Sequence, residues 1–205
     1  DHWRQCAAWM VVLALLQGKP AVLVLPTMRE IEDMAETLQA IGLRPFAPTQ
    51  SSNGAYDGDF AILNAQMAPV ERYRAYLATS EGQVRCVIGT RAAMYAPVDG
   101  NALFFILDDV CYQDADGMMP YANARGVLRI RAKSHNGVIV AMANARSVQS
   151  QWETDAAHVR ATQVSGFSTP IHAFPAVTKE ASPWIRWLNR DELARLADAT
   201  IGARV

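Results

Sequence analysis

Gly89-Thr90-Arg91-Ala92-Ala93-Met94-Tyr95-Ala96-Pro97 lies between two strand-like apolar runs, Val84 to Ile88 and Leu103-Phe104-Phe105-Ile106-Leu107. The second run ends in the acidic pair Asp108-Asp109. The hydroxyl and guanidinium of the turn are groups that bind phosphate oxygens, and a carboxylate at a strand end can reach a metal-bound phosphate. In a parallel α/β sheet both would stand outside the carboxyl ends of the strands, where ligands gather. An Asp pair of this kind is by itself more often a solvated strand end or a helix cap. Its usual companion in phosphate chemistry is the cradle G-x-x-x-x-G-K-[ST], which is absent. Gly18-Lys19 follows a helical pattern and precedes Pro20, so Lys19 reads as a solvated turn residue.

Other chemistries find less support. His2, His135, His158 and His172 lack metal-ligand spacing with one another or with the cysteines, and each reads as a surface or satisfied histidine. Cys6, Cys86 and Cys111 are odd in number and far apart, which gives neither a disulfide framework nor a C-x-x-C site. Cys111 follows two acids and lacks the electropositive surroundings of a nucleophile. With 19 basic and 20 acidic side chains the chain carries no bulk charge to attract nucleic acid, so any such contact must come from a local patch. The cysteine usage fits a reducing, cytoplasmic location. The apolar stretch from Ala7 to Leu16 is too short to span a bilayer and lacks a signal-peptide cleavage pattern, so no membrane partner is expected.

The elements that would position the turn and the acidic pair follow from apolar periodicity. At 205 residues the chain suits one core with at most a small appendage. Trp3 to Gln17 reads as a largely buried helix with Cys6, Trp9, Met10, Val12, Leu13 and Leu16 as its apolar residues, stopped by Gly18 and Pro20. Ala21 to Leu25 reads as a strand covered on both faces. Thr27 and Glu30 have capping-box spacing before a helix that Gly42 ends. An exposed loop is expected from Pro45 to Asp59, a strand at Phe60 to Leu63, and a helix from Pro69 through Leu77. The second half predicts a helix from Tyr121 to Ala132, another buried strand at Val138 to Met142, and a helix from Asn144 to Trp152. Arg125, Arg129 and Arg131 read as a solvated face or as partners of nearby acids. Trp184, Ile185, Trp187 and Leu188 are spaced as a helical apolar stripe, and Arg190 to Ala199 reads as a terminal amphipathic helix. Strands alternating with helices imply an α/β fold with a mostly parallel sheet and helices on both faces.

The segment from Ala21 to Trp152 resembles the first RecA-like helicase lobe of the primosomal replication-restart helicases, the primosomal protein N′ (PriA) family. The matching features are the strand Leu23-Val24-Leu25-Pro26, the helix segment Glu71-Arg72-Tyr73-Arg74, and the G-T-R-[SA]-A motif at Gly89 to Ala93 with Ala96-Pro97. An acidic strand end and the pattern Tyr121, Ala124, Arg125 follow in order. The resemblance implies a RecA-like three-layer sandwich of P-loop-NTPase type. The whole chain, 1–205, would be a single helicase lobe with a core over 1–152. Residues 153–205 would be a C-terminal extension leading to a second lobe outside the chain. It further implies DNA contacts, through phosphates and without reading bases, at Pro26, Thr27, Gly89, Thr90 and Arg91. The alternative reading of Thr27 is a helix N-cap, and of Arg91 a solvated loop residue.

The departures from the family pattern bear on activity. Active members carry D-E-E-H where this chain has Asp108-Asp109-Val110-Cys111, and G-S-A-T where it has Ala141-Met142-Ala143-Asn144. An ungapped count places the family's phosphate-binding lysine near Trp3 and its magnesium-binding hydroxyl near Arg4. The family's cofactors are ATP and magnesium. A tryptophan cannot neutralise phosphate and an arginine cannot coordinate a cation, so joint loss of these groups should abolish turnover. Asp108 and Asp109 then read as a vestigial acidic motif, and no cofactor or metal is expected in this chain. The resemblance thus implies a degenerate lobe, of the kind associated with actinobacterial versions, that binds fork or single-stranded DNA and scaffolds other primosome proteins. The alternative is a working ATPase lobe whose phosphate loop lies upstream, with Asp108 as metal ligand and Asp109 as a short catalytic acid. An unrelated α/β nucleotide- or metabolite-binding domain is a third reading.

Overall fold

Four consecutive apolar residues suit a strand whose two faces are both covered. β1 (Ala21–Val24) is buried at all four positions and lies at the centre of a five-stranded sheet. In this computed structural model, which describes residues 2–49, 54–98, 101–112 and 122–155, the remaining strands are β2 (Phe60–Leu63), β3 (Cys86–Gly89), β4 (Leu103–Leu107) and β5 (Val138–Met142). Their order is β2-β3-β1-β4-β5, and every pairing is parallel. Val24 stands beside Gly89 on one side and Ile106 on the other. The described residues all belong to one compact unit, 1–158. The extension expected over 153–205 falls outside them after residue 155, as do Tyr121, the Trp184 stripe and the terminal helix.

Side chains alternate along each strand between two apolar cores. Leu23, Ile88 and Phe105 face α1 (His2–Leu16) and α2 (Met28–Ala40). Val22, Val24, Phe104 and Ile106 face α3 (Pro69–Ser80) and α4 (Ala124–Ser134). The result is the expected three-layer α/β sandwich, an arrangement consistent with a RecA-like fold. Cys86 is wholly buried in β3, and burial pushes its thiol up to about 12, so it stays protonated and serves as packing.

Four local expectations are corrected. α1 turns its small side chains inward: Ala7, Ala8, Val11 and Ala14 are buried, whereas Trp9 is 68% and Leu16 79% exposed. The helix is apolar around much of its circumference, and small residues let its backbone approach α2 and the sheet most closely. Val138 to Met142 forms the edge of the sheet and not a fully buried strand, with Val138 more than half exposed. The helix expected from Asn144 begins instead as α5 (Val148–Asp155), because Ser147 accepts a hydrogen bond from Ser150 N at 3.0 Å and so caps it. Likewise Asn123 accepts from Gly126 N at 3.0 Å and starts α4 at Ala124.

Gly89 lies opposite Leu63 in the sheet, and a Cβ added there would stand 1.9 Å from the Leu63 carbonyl oxygen. The obstacle is backbone, which cannot rotate away. Gly89→Ala is expected to cost about 1–3 kcal/mol, read as a lower urea midpoint at unchanged m-value; an unaltered midpoint would contradict it.

Candidate functional site

β3, β1 and β4 are neighbours, so the segments that follow them share one edge of the sheet. Thr90-Arg91, Pro26-Thr27 and Asp108-Asp109 are thereby brought together. β1 leads into α2 on one face, and the chain after β4 continues into α4 on the other. This divergence opens the crevice at which ligands of parallel sheets are usually found.

Thr27 is the N-cap of α2, with a complete capping box. Its hydroxyl accepts from Arg29 N at 3.2 Å and donates to Glu30 Oε2, while its own N–H donates to that oxygen at 3.1 Å. The hydroxyl bond from Thr27, more than any other cause, holds the Glu30 carboxyl below its ordinary range. Pro26 is half-buried just before this cap, and Gly89 is buried under the Leu63 carbonyl. Thr90 and Arg91 are half-buried at the start of a 3-10 turn, Arg91–Tyr95. The Arg91 guanidinium lies 5.8 Å from the centre of the Tyr112 ring, within cation–π range.

This turn is clamped from α4. Arg131 donates from Nη1 to Met94 O and from Nη2 to Ala96 O, each at 2.6 Å, and its guanidinium covers Phe104 at 5.0 Å. Burial lowers the Arg131 pKa, yet an arginine remains charged at any physiological pH.

The acidic pair divides into two unlike residues. Asp108 has φ 47°, in the left-handed region that few side chains tolerate, and donates its N–H to Met142 O at 2.8 Å. Asp109 is buried, and its Oδ2 accepts from Ser147 Oγ at 2.6 Å and from Arg125 Nη1 at 3.0 Å. One carboxylate therefore ties the end of β4 to the starts of α4 and α5. A second 3-10 turn, Asp109–Tyr112, exposes Cys111 and buries Tyr112. The Tyr112 hydroxyl has no hydrogen-bond partner among the described residues. Burial, more than the neighbouring Cys111, pushes this phenol well above its ordinary value, against the opposing pull of Arg91.

Three participants were not legible as such: Ser147, Arg131 and Tyr112. Ser147-x-x-Ser150 carries a capping signal that could have revealed the first. Arg125 is the partner of an acid, as one reading of its helix allowed; Arg131 instead serves backbone carbonyls. Among the described residues no group of three His, Cys, Asp or Glu side chains could hold a metal ion, and no helix is long and apolar enough to cross a membrane.

Two consequences can be measured. Asp109→Ala leaves the Arg125 charge buried without its carboxylate and is expected to cost about 3–5 kcal/mol of folding stability; a loss below about 1 kcal/mol would show the pair to be solvated. For Glu30 the folded value is depressed below the ordinary 4.5, so its stabilisation is present above that pH and is lost as pH falls through the folded value. The stability difference between wild type and Glu30→Gln should shrink below pH 4.5; a difference that stays constant into acid counts against this origin.

No protein-family model matches the chain. Over 132 residues, 64% of its length, it is 26% identical to the probable replication restart protein PriA of Mycobacterium tuberculosis, and the same figures hold for that of Mycobacterium leprae. Over 139 residues, 67% of its length, it is 25% identical to the replication restart protein PriA of Chlamydia pneumoniae. The chain spans less than a fifth of the length of these curated relatives, 18% in the mycobacterial cases and 17% in the chlamydial one. The chain is thus similar, over about two thirds of its length, to proteins named replication restart protein PriA in mycobacteria and in Chlamydia.

Proposed function

We propose that this chain is a DNA-binding lobe of a replication-restart protein, one that holds fork or single-stranded DNA through its phosphates and hydrolyses no ATP itself. The observation that carries this reading is the Arg91–Tyr95 turn, locked from below by Arg131 and presenting Thr90 and Arg91 at the carboxyl edge beside the first turn of α2. Phosphate oxygens there could accept from a guanidinium, a hydroxyl and backbone N–H groups, contacts that position a strand without reading its sequence. Thr27 contributes through the helix terminus that it caps, since its hydroxyl is committed to Glu30. Restart as the process is drawn from the name of the relatives; other primosome proteins and a second helicase lobe as partners follow from the motif resemblance, and a cytoplasmic location from the cysteine usage.

Support for inactivity comes from chemistry at the same edge. A magnesium nucleotide needs a lysine or equivalent on its phosphates and free carboxylate oxygen near the metal. Trp3 and Arg4 stand in the first turn of α1, Arg4 lies 3.4 Å from Asp33, and Asp109 Oδ2 already accepts from Arg125 and Ser147. Trp3, Arg4 and this oxygen of Asp109 do not supply those groups; Asp108 is the carboxylate that the alternative reading would use.

Fluorescence anisotropy with a dye-labelled single strand tests the binding half. Affinity should fall linearly on a log–log plot against salt, and Arg91→Ala should weaken it and reduce the slope by about 1; salt-independent binding would contradict phosphate contacts. The same chain should show no single-strand-stimulated ATP hydrolysis. Clear turnover that Asp108→Ala removes would sink the inactive reading in favour of a working ATPase.

A further inference from the structure

α3 buries Ala75, Ala78 and Thr79 against the sheet. Tyr73 and Tyr76, three residues apart on its outward face, remain 63% and 46% exposed. Across from them the Arg91–Tyr95 turn buries Ala93 and Met94 and leaves Tyr95 53% exposed. Between helix and turn runs a groove of about 380 Å³ whose lining includes these three tyrosines, Arg72 and Ala92. Large amphipathic rings gathered in one concavity are the composition of a binding surface more than of an ordinary solvated face.

We propose that this groove is a stacking platform for the bases of single-stranded nucleic acid. It extends the reading of this edge as a DNA track and rests on it. Three features favour this occupant over a peptide. Among the described residues Arg72 is the only charged one lining the groove, and no carboxylate lines it, so the groove is complementary to a polyanion. Tyr95 belongs to the same turn as Arg91, so a strand whose phosphates touch Arg91 has bases within reach of the rings. The platform is also rigid on the turn side, because the carbonyls on either side of Tyr95, those of Met94 and Ala96, are both held by Arg131. Stacking on tyrosine accepts any base. Duplex DNA keeps its bases stacked inside, so the platform selects single strands.

The test uses the full chain, a dye-labelled oligothymidylate, and an abasic oligonucleotide of the same length. Tyr95→Ala and Tyr73→Ala should each weaken oligothymidylate binding between about 5-fold and about 150-fold. Tyr95→Phe, which keeps the ring, should bind as wild type does, and abasic binding should be weaker and indifferent to Tyr95→Ala. Both rings are exposed, and unchanged thermal melting of the variants will show that the fold is intact. Unchanged oligothymidylate affinity in both alanine variants, with Arg91→Ala still weakening it, would overturn the platform and leave the phosphate track standing. Failure of the wild type to bind any single strand would overturn both. Binding of a proline-rich peptide that Tyr95→Ala abolishes, with oligothymidylate affinity untouched, would reassign the groove to peptide recognition.

Discussion

The carboxylate of Asp109 is the constraint on which the working edge depends. It is buried, and a buried charge persists only where its partners replace water. Arg125 and Ser147 supply them from the starts of two different helices. The residue before it adopts a left-handed backbone, and its N–H bonds to the end of β5. The strand end, the neighbouring strand and two helix starts are therefore held by one short segment. α4, thus anchored at its first turn, carries Arg131 two turns further on to the carbonyls of the Arg91–Tyr95 turn. The position of the turn after β3 is in this way coupled to an ion pair after β4.

That coupling marks the boundary of what could be read from the chain. The Thr27–Glu30 box was legible because both partners lie three residues apart and their types suffice to specify the geometry. β4 was legible because five apolar residues in a row leave few alternatives to a buried strand. Asp109 and its partners are separated by 16 and 38 residues, and Arg131 lies 37 residues from Met94, so no local pattern encodes those contacts. α1 shows a different limit: where apolar residues surround a helix, side-chain size and the closeness of approach decide which face turns inward. Tyr73 stood out only as part of the Glu71 to Arg74 segment and Tyr76 not at all, since their surface exists only once a separate segment brings Tyr95 across from them.

Electrostatics at this edge act at short range. Arg91 shares its surroundings with Glu30 and Asp108, all three close enough to influence the Tyr112 phenol, and the chain as a whole carries a net charge of only −1. Opposed charges that act on one group largely cancel beyond a screening length of about 8 Å at physiological salt. In the proposed reading a polyanion would therefore not be steered here from a distance and would be held only by the groups it touches.

The strand order has a consequence for how the chain assembles during synthesis. β1 is central, yet neither of its neighbours is the next strand made: β2 joins the sheet only through β3. Until Cys86 to Gly89 has left the ribosome, β1 has no native strand to pair with, although all its side chains are apolar. In that interval α1 and α2, which flank it in sequence, can cover the face that carries Leu23, and α3 the face that carries Val22 and Val24. The dense packing of small residues between α1 and the sheet thus also lets helices cover a central strand before its strand neighbours exist.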